Sequence, residues 1–190
     1  MRGYFAVGAE EMSKPMNFGA MLRTAHAFGA SFAFMVRPFW RLREAYRADT
    51  SHSAAHIPLF EFADARALAL PKGCRLIGVE LLDEAIDLPR FQHPLAAAYV
   101  FGREKGSLSA DMLARCDRVV KIPTRFSLNV SVAAALVMYD RMLALGGFGE
   151  RALGAEIAAG MTAAGALPRA YRADVGLEEP DDPPAEGENG

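Results

Sequence analysis

Short apolar runs alternate along most of this chain with longer segments in which apolar residues recur at helical spacing. The short runs are rich in Val, Ile, Phe and Ala, which is typical of strands buried on both faces of a parallel sheet. A strand, a crossover helix and a second strand in succession predict a right-handed parallel unit. We predict strands at residues 4–9, 31–36, 74–81, 99–101 and 119–122.

The longer segments predict helices, several of which have recognisable ends. Asn17 is suited to cap the first helix and Gly29 to end it, while Ser109 is suited to cap a short third one. A long apolar helix can be capped by either Ser127 or Asn129. The predicted helices cover residues 17–28, 62–70, 110–115, 129–145 and 150–164.

A strand end, a polar loop and a helix start follow one another in residues 121–135, KIPTRFSLNVSVAAA. Pro123 removes a backbone donor and so ends the strand. Such a junction is where open α/β sheets bind ligands. Three polar side chains open the helix, and capping alone explains Ser131. Ser127 and Asn129 together are better explained as part of a functional site.

Composition places the chain among globular proteins, because 52% of its 190 residues are hydrophobic. No apolar run is long enough to span a bilayer, and the N-terminus has no signal-peptide pattern. Cys74 and Cys116 stand alone, which predicts neither a disulfide framework nor a zinc site. We therefore expect a cytoplasmic protein without a membrane partner and without a metal.

The net charge of −2 conceals a strong asymmetry along the chain. Residues 173–190 hold seven of the 23 acidic residues and none of the 21 Lys and Arg, which leaves a net charge of +5 on the remainder. The body is thus mildly basic, as suits an RNA partner. The last segment is rich in Pro and Gly and has almost nothing to bury.

Basic and aromatic residues interleave between residues 37 and 47, RPFWRLREAYR. This combination is typical of surfaces that contact phosphates and stack on bases. An amphipathic surface helix with Trp40 and Tyr46 packed inward explains the pattern equally well. The candidate RNA-binding residues are Arg37, Arg41, Arg43 and Arg47.

Two other stretches carry candidate chemistry, residues 17–29 (NFGAMLRTAHAFG) and residues 100–109 (VFGREKGSLS). Gly102 directly follows a predicted strand, where a glycine lets a ligand approach the backbone closely. Glu104 lies between Gly102 and Gly106. The stretch lacks the GKS/T of a P-loop, and the chain has no GxGxxG fingerprint of a nicotinamide-dependent enzyme.

In this order, the three stretches resemble the motifs of the SpoU (TrmH) family of RNA ribose 2′-O-methyltransferases, within the SPOUT superfamily. The resemblance covers roughly residues 4–145, and the loop between Pro123 and Ser127 is shorter than in the family pattern. It implies an α/β fold, with a mostly parallel sheet covered by helices and a C-terminal trefoil knot. It also implies S-adenosylmethionine as methyl donor and a homodimer with the site at the interface.

The resemblance further implies roles for individual residues. Arg23 would stabilise negative charge on the ribose oxygen and grip the adjacent phosphate, because an arginine is a poor general base. Asn17, Glu104, Ser127 and Asn129 would orient Arg23 and the ribose. Backbone groups at Gly102, Ile122 and Leu128 would hold the methyl donor, and no metal is needed.

We therefore expect an enzyme that methylates RNA, and tRNA in particular, because no added domain of the kind found in larger relatives is evident. Two alternatives remain open: a ribosomal RNA 2′-O-methyltransferase, and a non-catalytic RNA-binding module that retains the fold. The expected organisation is a methyltransferase domain (1–150), a helical extension (151–172) and an acidic disordered tail (173–190).

Overall fold

The computed structural model describes residues 3–41, 43–44, 47, 53–104 and 106–147. These residues contain seven strands that form one sheet, and every strand pair runs parallel. The strands are β1 (Tyr4–Glu10), β2 (Phe32–Val36), β3 (Leu59–Phe62), β4 (Arg75–Val79), β5 (Ile86–Asp87), β6 (Ala96–Phe101) and β7 (Arg118–Lys121). Their order across the sheet is β3-β2-β1-β6-β4-β7-β5.

Helices pack on both faces of this sheet. They include α1 (Pro15–Ala27), α2 (Ala110–Arg115) and α3 (Val130–Ala144), with short 3₁₀ turns at Ser53–Ala55 and Leu88–Arg90. The predicted α/β class with a mostly parallel sheet is confirmed. The sequence did not predict the edge strands β3 and β5, which are only four and two residues long.

Alternation along the central strands divides the core into two layers, because successive strand residues face opposite sides. On β1, Phe5, Val7 and Ala9 face the layer that contains α1 and α3, whereas Ala6 faces the layer that contains α2. The first layer also buries Phe18, Met21, Leu22, Tyr99, Phe101, Val137 and Met138, and the second buries Phe34, Val36, Val100, Leu108 and Met112.

The predicted helix at residues 62–70 is wrong. Phe62 ends β3, and the chain then makes bends and turns. The Asp64 carboxylate accepts the Ala67 amide at 2.8 Å, as Asp commonly does in turns. The Arg115 guanidinium donates to the carbonyls of Ala65, Arg66 and Leu68. The backbone groups of this segment are therefore satisfied by side chains instead of by a helix.

The structure confirms two of the predicted helix caps and contradicts a third. The caps at Ser109 and Asn129 are confirmed, because their side chains accept the amides of Met112 and Ser131. Asn17 is not a cap, since α1 begins earlier with a proline in its first turn, a position where the missing N–H costs nothing. The Asn17 side chain is therefore available for other contacts.

A buried arginine joins α3 to the amino ends of β1 and β6. Arg141 is 3% exposed, and its guanidinium donates to the carbonyls of Pro94 (2.6 Å) and Leu95 (2.7 Å). It also reaches the Tyr4 carbonyl at 3.2 Å and the Tyr99 hydroxyl at 3.1 Å. Each of these buried acceptors would lose its partner if the arginine were removed.

His93 extends this buried network. Its ring nitrogens lie 2.6 Å from the Tyr99 hydroxyl and 2.8 Å from the Asp140 carboxylate. Burial lowers the pKa of His93, and the hydrogen bond to Asp140 opposes that effect. Burial also raises the pKa of Tyr99 to about 12. These contacts fasten the second half of α3 at the edge of the sheet where the strands begin.

Several expectations concern residues outside the described ranges. These are the helix at 150–164, the extension at 151–172, the acidic tail at 173–190 and the side chain of Tyr46. Within the described ranges, none of the helices has the length and apolar character needed to cross a bilayer. Cys74 and Cys116 are free and half-buried.

Replacing Arg141 by alanine should lower the free energy of unfolding by about 3–5 kcal/mol, because it leaves buried acceptors without donors. Urea titration followed by circular dichroism, at fixed protein concentration, measures this. The matched control is Arg118→Ala, which removes an exposed guanidinium and should change stability by about 0.5 kcal/mol or less. Equal effects of the two substitutions would contradict the structural role of Arg141.

Candidate active site

The parallel sheet brings the three sequence motifs to one edge. The carboxyl ends of β1, β6 and β7 lie side by side or one strand apart at that edge. The first leads into α1, the second into the loop 102–109 and the third through a loop into α3, and α1 packs against α3. Residues nearly a hundred positions apart therefore meet where open α/β sheets bind ligands.

Glu104 binds the segment that starts α1. Its carboxylate accepts hydrogen bonds from the Ser13 amide (3.0 Å), the Ser13 hydroxyl (2.6 Å) and the Lys14 amide (3.1 Å). It also accepts from the Asn17 side-chain amide at 2.8 Å. One acid of the loop after β6 thereby fixes the loop after β1.

The contacts continue from α1 to α3. The Asn129 side-chain amide donates to the Asn17 carbonyl oxygen at 3.2 Å. The Asn129 side-chain oxygen accepts from the Ser131 amide at 2.9 Å and from the Ser131 hydroxyl at 2.6 Å. Glu104, Asn17 and Asn129, one from each motif, therefore form a continuous chain of hydrogen bonds.

This arrangement stabilises the ionised form of Glu104. Partial burial would raise its pKa, but the hydrogen bonds from the Ser13 hydroxyl and amide, a backbone amide of its own loop and Asn17 outweigh burial. The pKa is lowered to about 2. Glu104 is therefore a fixed anion and hydrogen-bond acceptor at neutral pH, and it is unsuited to donating a proton.

Arg23 lies apart from this network. It is exposed on α1 and makes no hydrogen bond or ion pair with any residue that the structure describes. Helical spacing places it on the same face as Met16 and Ala20, which are also exposed. No contact joins it to Asn17 or Glu104, so its guanidinium is free for a substrate phosphate or oxygen.

A cleft of about 320 Å³ opens beside the network. The three residues expected to hold the methyl donor all line it, and so does Ser127, which is exposed. Apolar residues and two acidic residues, Glu80 and Glu104, share its walls. The lining includes Val79, Glu80, Phe101, Gly102, Arg103, Glu104, Lys121, Ile122, Ser127, Leu128 and Val130.

The wall at Gly102 has no room for a side chain. A Cβ atom there would lie 3.0 Å from the Leu108 amide nitrogen and 3.2 Å from the Ser107 carbonyl carbon. Gly102 therefore lets the backbone of its own loop, at Ser107 and Leu108, approach closely. Any larger residue must displace the loop backbone that lines the cleft.

Two acids that sequence reasoning missed hold this loop. Glu10, 2% exposed at the end of β1, accepts the Ser109 amide at 2.7 Å and the Ser109 hydroxyl at 2.6 Å. Glu80, which follows β4, accepts the Leu108 amide at 2.8 Å. The sequence signal that could have identified both acids is their position at the end of an apolar strand. Ser13, which donates to Glu104, has no comparable signal in the sequence.

The loop between β7 and α3 is a compact turn. The Thr124 hydroxyl lies 3.3 Å from the Ile122 carbonyl oxygen and 2.9 Å from that of Phe126. This closes the short segment after Pro123 on itself. Phe126 is left 76% exposed next to Ser127 at the mouth of the cleft.

The arginine-rich stretch divides into an inward and an outward side. Trp40 is buried, and its indole N–H donates to the Met12 carbonyl at 2.8 Å, as the amphipathic alternative predicts. Phe39 is 62% exposed. The four arginines proposed to bind RNA are all exposed: Arg37, Arg41, Arg43 and Arg47.

The histidines give no indication of a metal centre. Among the described residues, no group of three or more His, Cys, Asp or Glu side chains is arranged to hold an ion. His26 stacks on His56 with ring centroids 4.7 Å apart, and its Nδ1 lies 3.3 Å from the Ser53 hydroxyl.

Comparison with known proteins agrees with the arrangement of the motifs. The sequence profile of the SpoU rRNA Methylase family matches residues 4–139. The chain belongs to this family. It is 32% identical over 136 residues to the tRNA (guanosine(18)-2′-O)-methyltransferase of Escherichia coli K12. That match covers 69% of this chain but only 59% of the length of the relative.

Solved structures share the fold. A structure from work on the 2-OH methylation of C/U34 on tRNA is 27% identical, with a TM-score of 0.68, and the match covers 78% of this chain and all of that one. The SpoU methyltransferase AviRb from Streptomyces viridochromogenes, in complex with the cofactor AdoMet, has a TM-score of 0.64 at 21% identity. That match covers 74% of this chain and 57% of AviRb.

Replacing Glu104 by glutamine should destabilise the protein at neutral pH by about 2 kcal/mol, because an amide nitrogen would face several donors. The folded state favours the ionised acid, so this stabilisation is complete above the ordinary pKa of 4.5 and is lost as the pH falls towards 2. The difference in stability between the two proteins should therefore shrink progressively from about pH 4.5 down to pH 2.

Urea titrations at a series of pH values measure the free energy of unfolding of the parent and of Glu104→Gln. Glu61→Gln, at an exposed acid on β3, is the matched control and should behave like the parent at every pH. A difference between the Glu104 variant and the parent that persists unchanged at pH 3 would contradict the proposed origin of the low pKa.

Proposed function

We propose that this protein transfers a methyl group from S-adenosylmethionine to a ribose 2′-hydroxyl of RNA. The observation that carries the proposal is the meeting of Asn17, Glu104 and Asn129, one from each motif, beside a single cleft. The intact set of Asn17, Arg23, Glu104, Ser127 and Asn129 argues against a binding module that only retained the fold. The likeness to RNA 2′-O-methyltransferases over most of the chain supports the same reaction.

The cleft suits S-adenosylmethionine in its chemistry. Its apolar residues, such as Val79 and Phe101, are appropriate for a flat base, and its backbone groups offer hydrogen bonds. The carboxylates of Glu80 and Glu104 suit a positively charged sulfonium. When bound, the donor supplies an activated methyl group. Gly102, Ile122 and Leu128 would hold it through the backbone of their loops. The choice of donor is supported by the AdoMet bound to AviRb, which shares the fold.

The residues of the chain would then align and activate the ribose oxygen. Alignment of two reactants can contribute roughly 7–11 kcal/mol in ideal intramolecular systems. Arg23 has no partner among the described residues, so its guanidinium is available to stabilise the developing oxyanion and an adjacent phosphate. Asn17, Glu104, Ser127 and Asn129 would hold the surrounding loops and orient the ribose.

We propose tRNA as the substrate. The Escherichia coli relative is a tRNA (guanosine(18)-2′-O)-methyltransferase, and one similar solved structure comes from work on the 2-OH methylation of C/U34 on tRNA. Ribosomal RNA remains the second candidate, because the family description names rRNA. The trefoil knot of the SPOUT superfamily and a cytoplasmic location belong to the same proposal. Tracing the chain path in a crystal structure tests the knot directly.

The proposal includes a homodimer that uses α1 and α3. Three large apolar side chains lie exposed on α3: Val132 (49%), Leu136 (40%) and Leu143 (46%). On α1, Met16 is 75% exposed on the face that also carries Arg23. A second copy seated here would cover this surface and bring a second subunit close to the arginine.

Sedimentation velocity at micromolar concentration should show a dimer for the parent protein. Replacing Val132 and Leu136 together by aspartate should give monomers, because charges in an apolar interface are costly. Leu95→Asp changes a residue that is 58% exposed at the amino edge of the sheet and should leave the dimer intact. A monomeric parent protein would refute the dimer.

Replacing Arg23 by alanine should abolish methyl transfer while binding of S-adenosylmethionine stays nearly intact. The arginine lies outside the cleft lining and acts only as charge develops, so its loss should cost about 10²–10³ in rate. Arg23→Lys should rescue only partly, because an ammonium lacks the planar fork of a guanidinium. Single-turnover methylation of tRNA and calorimetry with the donor measure the two effects separately.

Gly102→Val provides the contrasting variant, because it displaces the loop at Ser107 and Leu108 and should weaken donor binding itself. If Arg23→Ala loses donor binding, or methylates at nearly the parent rate, then Arg23 does not act by stabilising charge on the ribose oxygen. If the parent protein transfers no methyl group to RNA 2′-hydroxyls, the proposed function is wrong.

A further inference from the structure

Two neighbouring strands end in backbone conformations that are costly for their residues. Glu11, directly after β1, has φ +51°, and Arg37, directly after β2, has φ +48°. These are the non-glycine residues with positive φ in the described part of the chain. Such conformations persist where the surroundings enforce them, and they concentrate at functional sites. The amides of both residues are hydrogen-bonded, to Val36 and Phe62 respectively, at 2.9 Å.

The side chains of these two residues form an ion pair, and a second arginine joins them. Arg37 binds one carboxylate oxygen of Glu11, and Arg103 Nη1 lies 3.3 Å from the other. The carboxylate is the more buried partner, at 17% exposure, whereas the two guanidinium groups are 53% and 45% exposed. The acid thus lies behind two outward guanidinium groups, and the cluster has a net charge of +1.

The position of Arg103 depends on a glycine. Gly106 has φ +144°, and a Cβ atom there would lie 2.4 Å from the Arg103 Nε. Arg103 therefore folds back over its own loop, which directs its guanidinium towards the end of β1. Arg103 is among the residues that line the cleft, since it lies between Gly102 and Glu104 in the loop. Its guanidinium, however, is held by Glu11 at the ends of β1 and β2.

We propose that Arg37 and Arg103, positioned by Glu11, form a two-guanidinium site for the phosphates that flank the target ribose. The proposal rests on the proposed function and adds to it a substrate-binding role for Arg103 and a positioning role for Glu11. Guanidinium groups match phosphate oxygens in geometry and charge. Without the shared carboxylate, the two cations would repel each other and separate.

The direction of Arg103 favours RNA over the methyl donor as its ligand. The cleft lies at the ends of β4, β6 and β7, whereas Glu11 lies at the end of β1, on the side away from β4. A guanidinium held on that acid stands at the border of the cleft, beside the start of α1. An acceptor ribose must reach this border to meet a methyl group from the cleft.

Arg37→Gln and Arg103→Gln should each weaken tRNA binding about fivefold or more at 0.1 M salt, and each should reduce the slope of log affinity against log salt by about 1. Affinity for S-adenosylmethionine should change less than about twofold, because neither guanidinium is directed into the cleft. Filter binding at several salt concentrations and calorimetry with the donor give the two readouts.

Glu11→Gln distinguishes a role of Glu11 in positioning the two guanidinium groups from an effect on the net charge of the protein. The substitution makes the protein more positive by one unit, so an effect of charge alone would tighten RNA binding and leave methylation unchanged. Loss of positioning predicts the opposite, weaker binding and a single-turnover rate reduced about tenfold or more. The melting temperature and the donor affinity of each variant show whether it is folded.

The matched control is Arg118→Gln, which removes an exposed guanidinium at the amino end of β7. It should leave both RNA affinity and rate near the parent values. Any one of three results would overturn the two-guanidinium site: equal effects at Arg118 and Arg103, tighter RNA binding by Glu11→Gln, or lost donor binding in Arg103→Gln.

The parent protein distinguishes this inference from the proposed function. If the parent methylates RNA but the variants give one of these results, only the two-guanidinium site is refuted. If the parent neither binds nor methylates RNA, both proposals are refuted.

Discussion

The candidate site depends on acids that accept backbone amides at the carboxyl edge of the sheet. A loop that leaves a parallel strand has amides with no partner in the sheet, and an unsatisfied amide is costly once it is shielded from water. Glu10 and Glu80 satisfy amides of the loop after β6, and Glu104 returns from that loop to satisfy amides ahead of α1. The loops around the cleft are therefore held by charge-assisted hydrogen bonds in addition to the burial of Met12 and Leu108.

These acids also set the electrostatics of the site. Each anion is held by neutral amides and hydroxyls or, at Glu11, by two arginines. The cations proposed to bind RNA are left exposed, with Arg23 unpaired among the described residues and the guanidinium groups of Arg37 and Arg103 turned outwards. In the proposed complex, an RNA backbone would meet these positive groups first, with the acidic residues behind them.

Sequence reasoning recovered the elements that depend on local pattern. The apolar runs predicted the strands β1, β2, β4, β6 and β7 to within a few residues, and Ser109 and Asn129 were correctly identified as caps. The helix expected at residues 62–70 failed because Asp64 and the distant Arg115 satisfy that backbone in another way. Local periodicity contains no information about a guanidinium that arrives from elsewhere in the chain.

The motifs likewise indicated which residues meet but not how they meet. Asn17 and Glu104 were expected to serve Arg23, yet they bind each other and leave the arginine free. Ser13 and Glu11 are ordinary loop residues in the sequence, and their roles emerge only when the ends of β1, β2 and β6 lie together. Contacts that depend on tertiary register cannot be derived from spacing along one segment.

The bond between Asn17 and Asn129 spans 112 positions of the chain, and the bonds between Glu104 and Ser13 span 91. Contacts of such long range are slow to form, because the entropy of closing large loops is lost before any contact compensates for it. During synthesis, α1 leaves the ribosome long before its partners exist. A chain that ends between residues 121 and 129 contains all seven strands, yet it cannot complete the hydrogen-bonded set that borders the cleft. Ligand affinity should therefore arise late and abruptly, as the last motif docks.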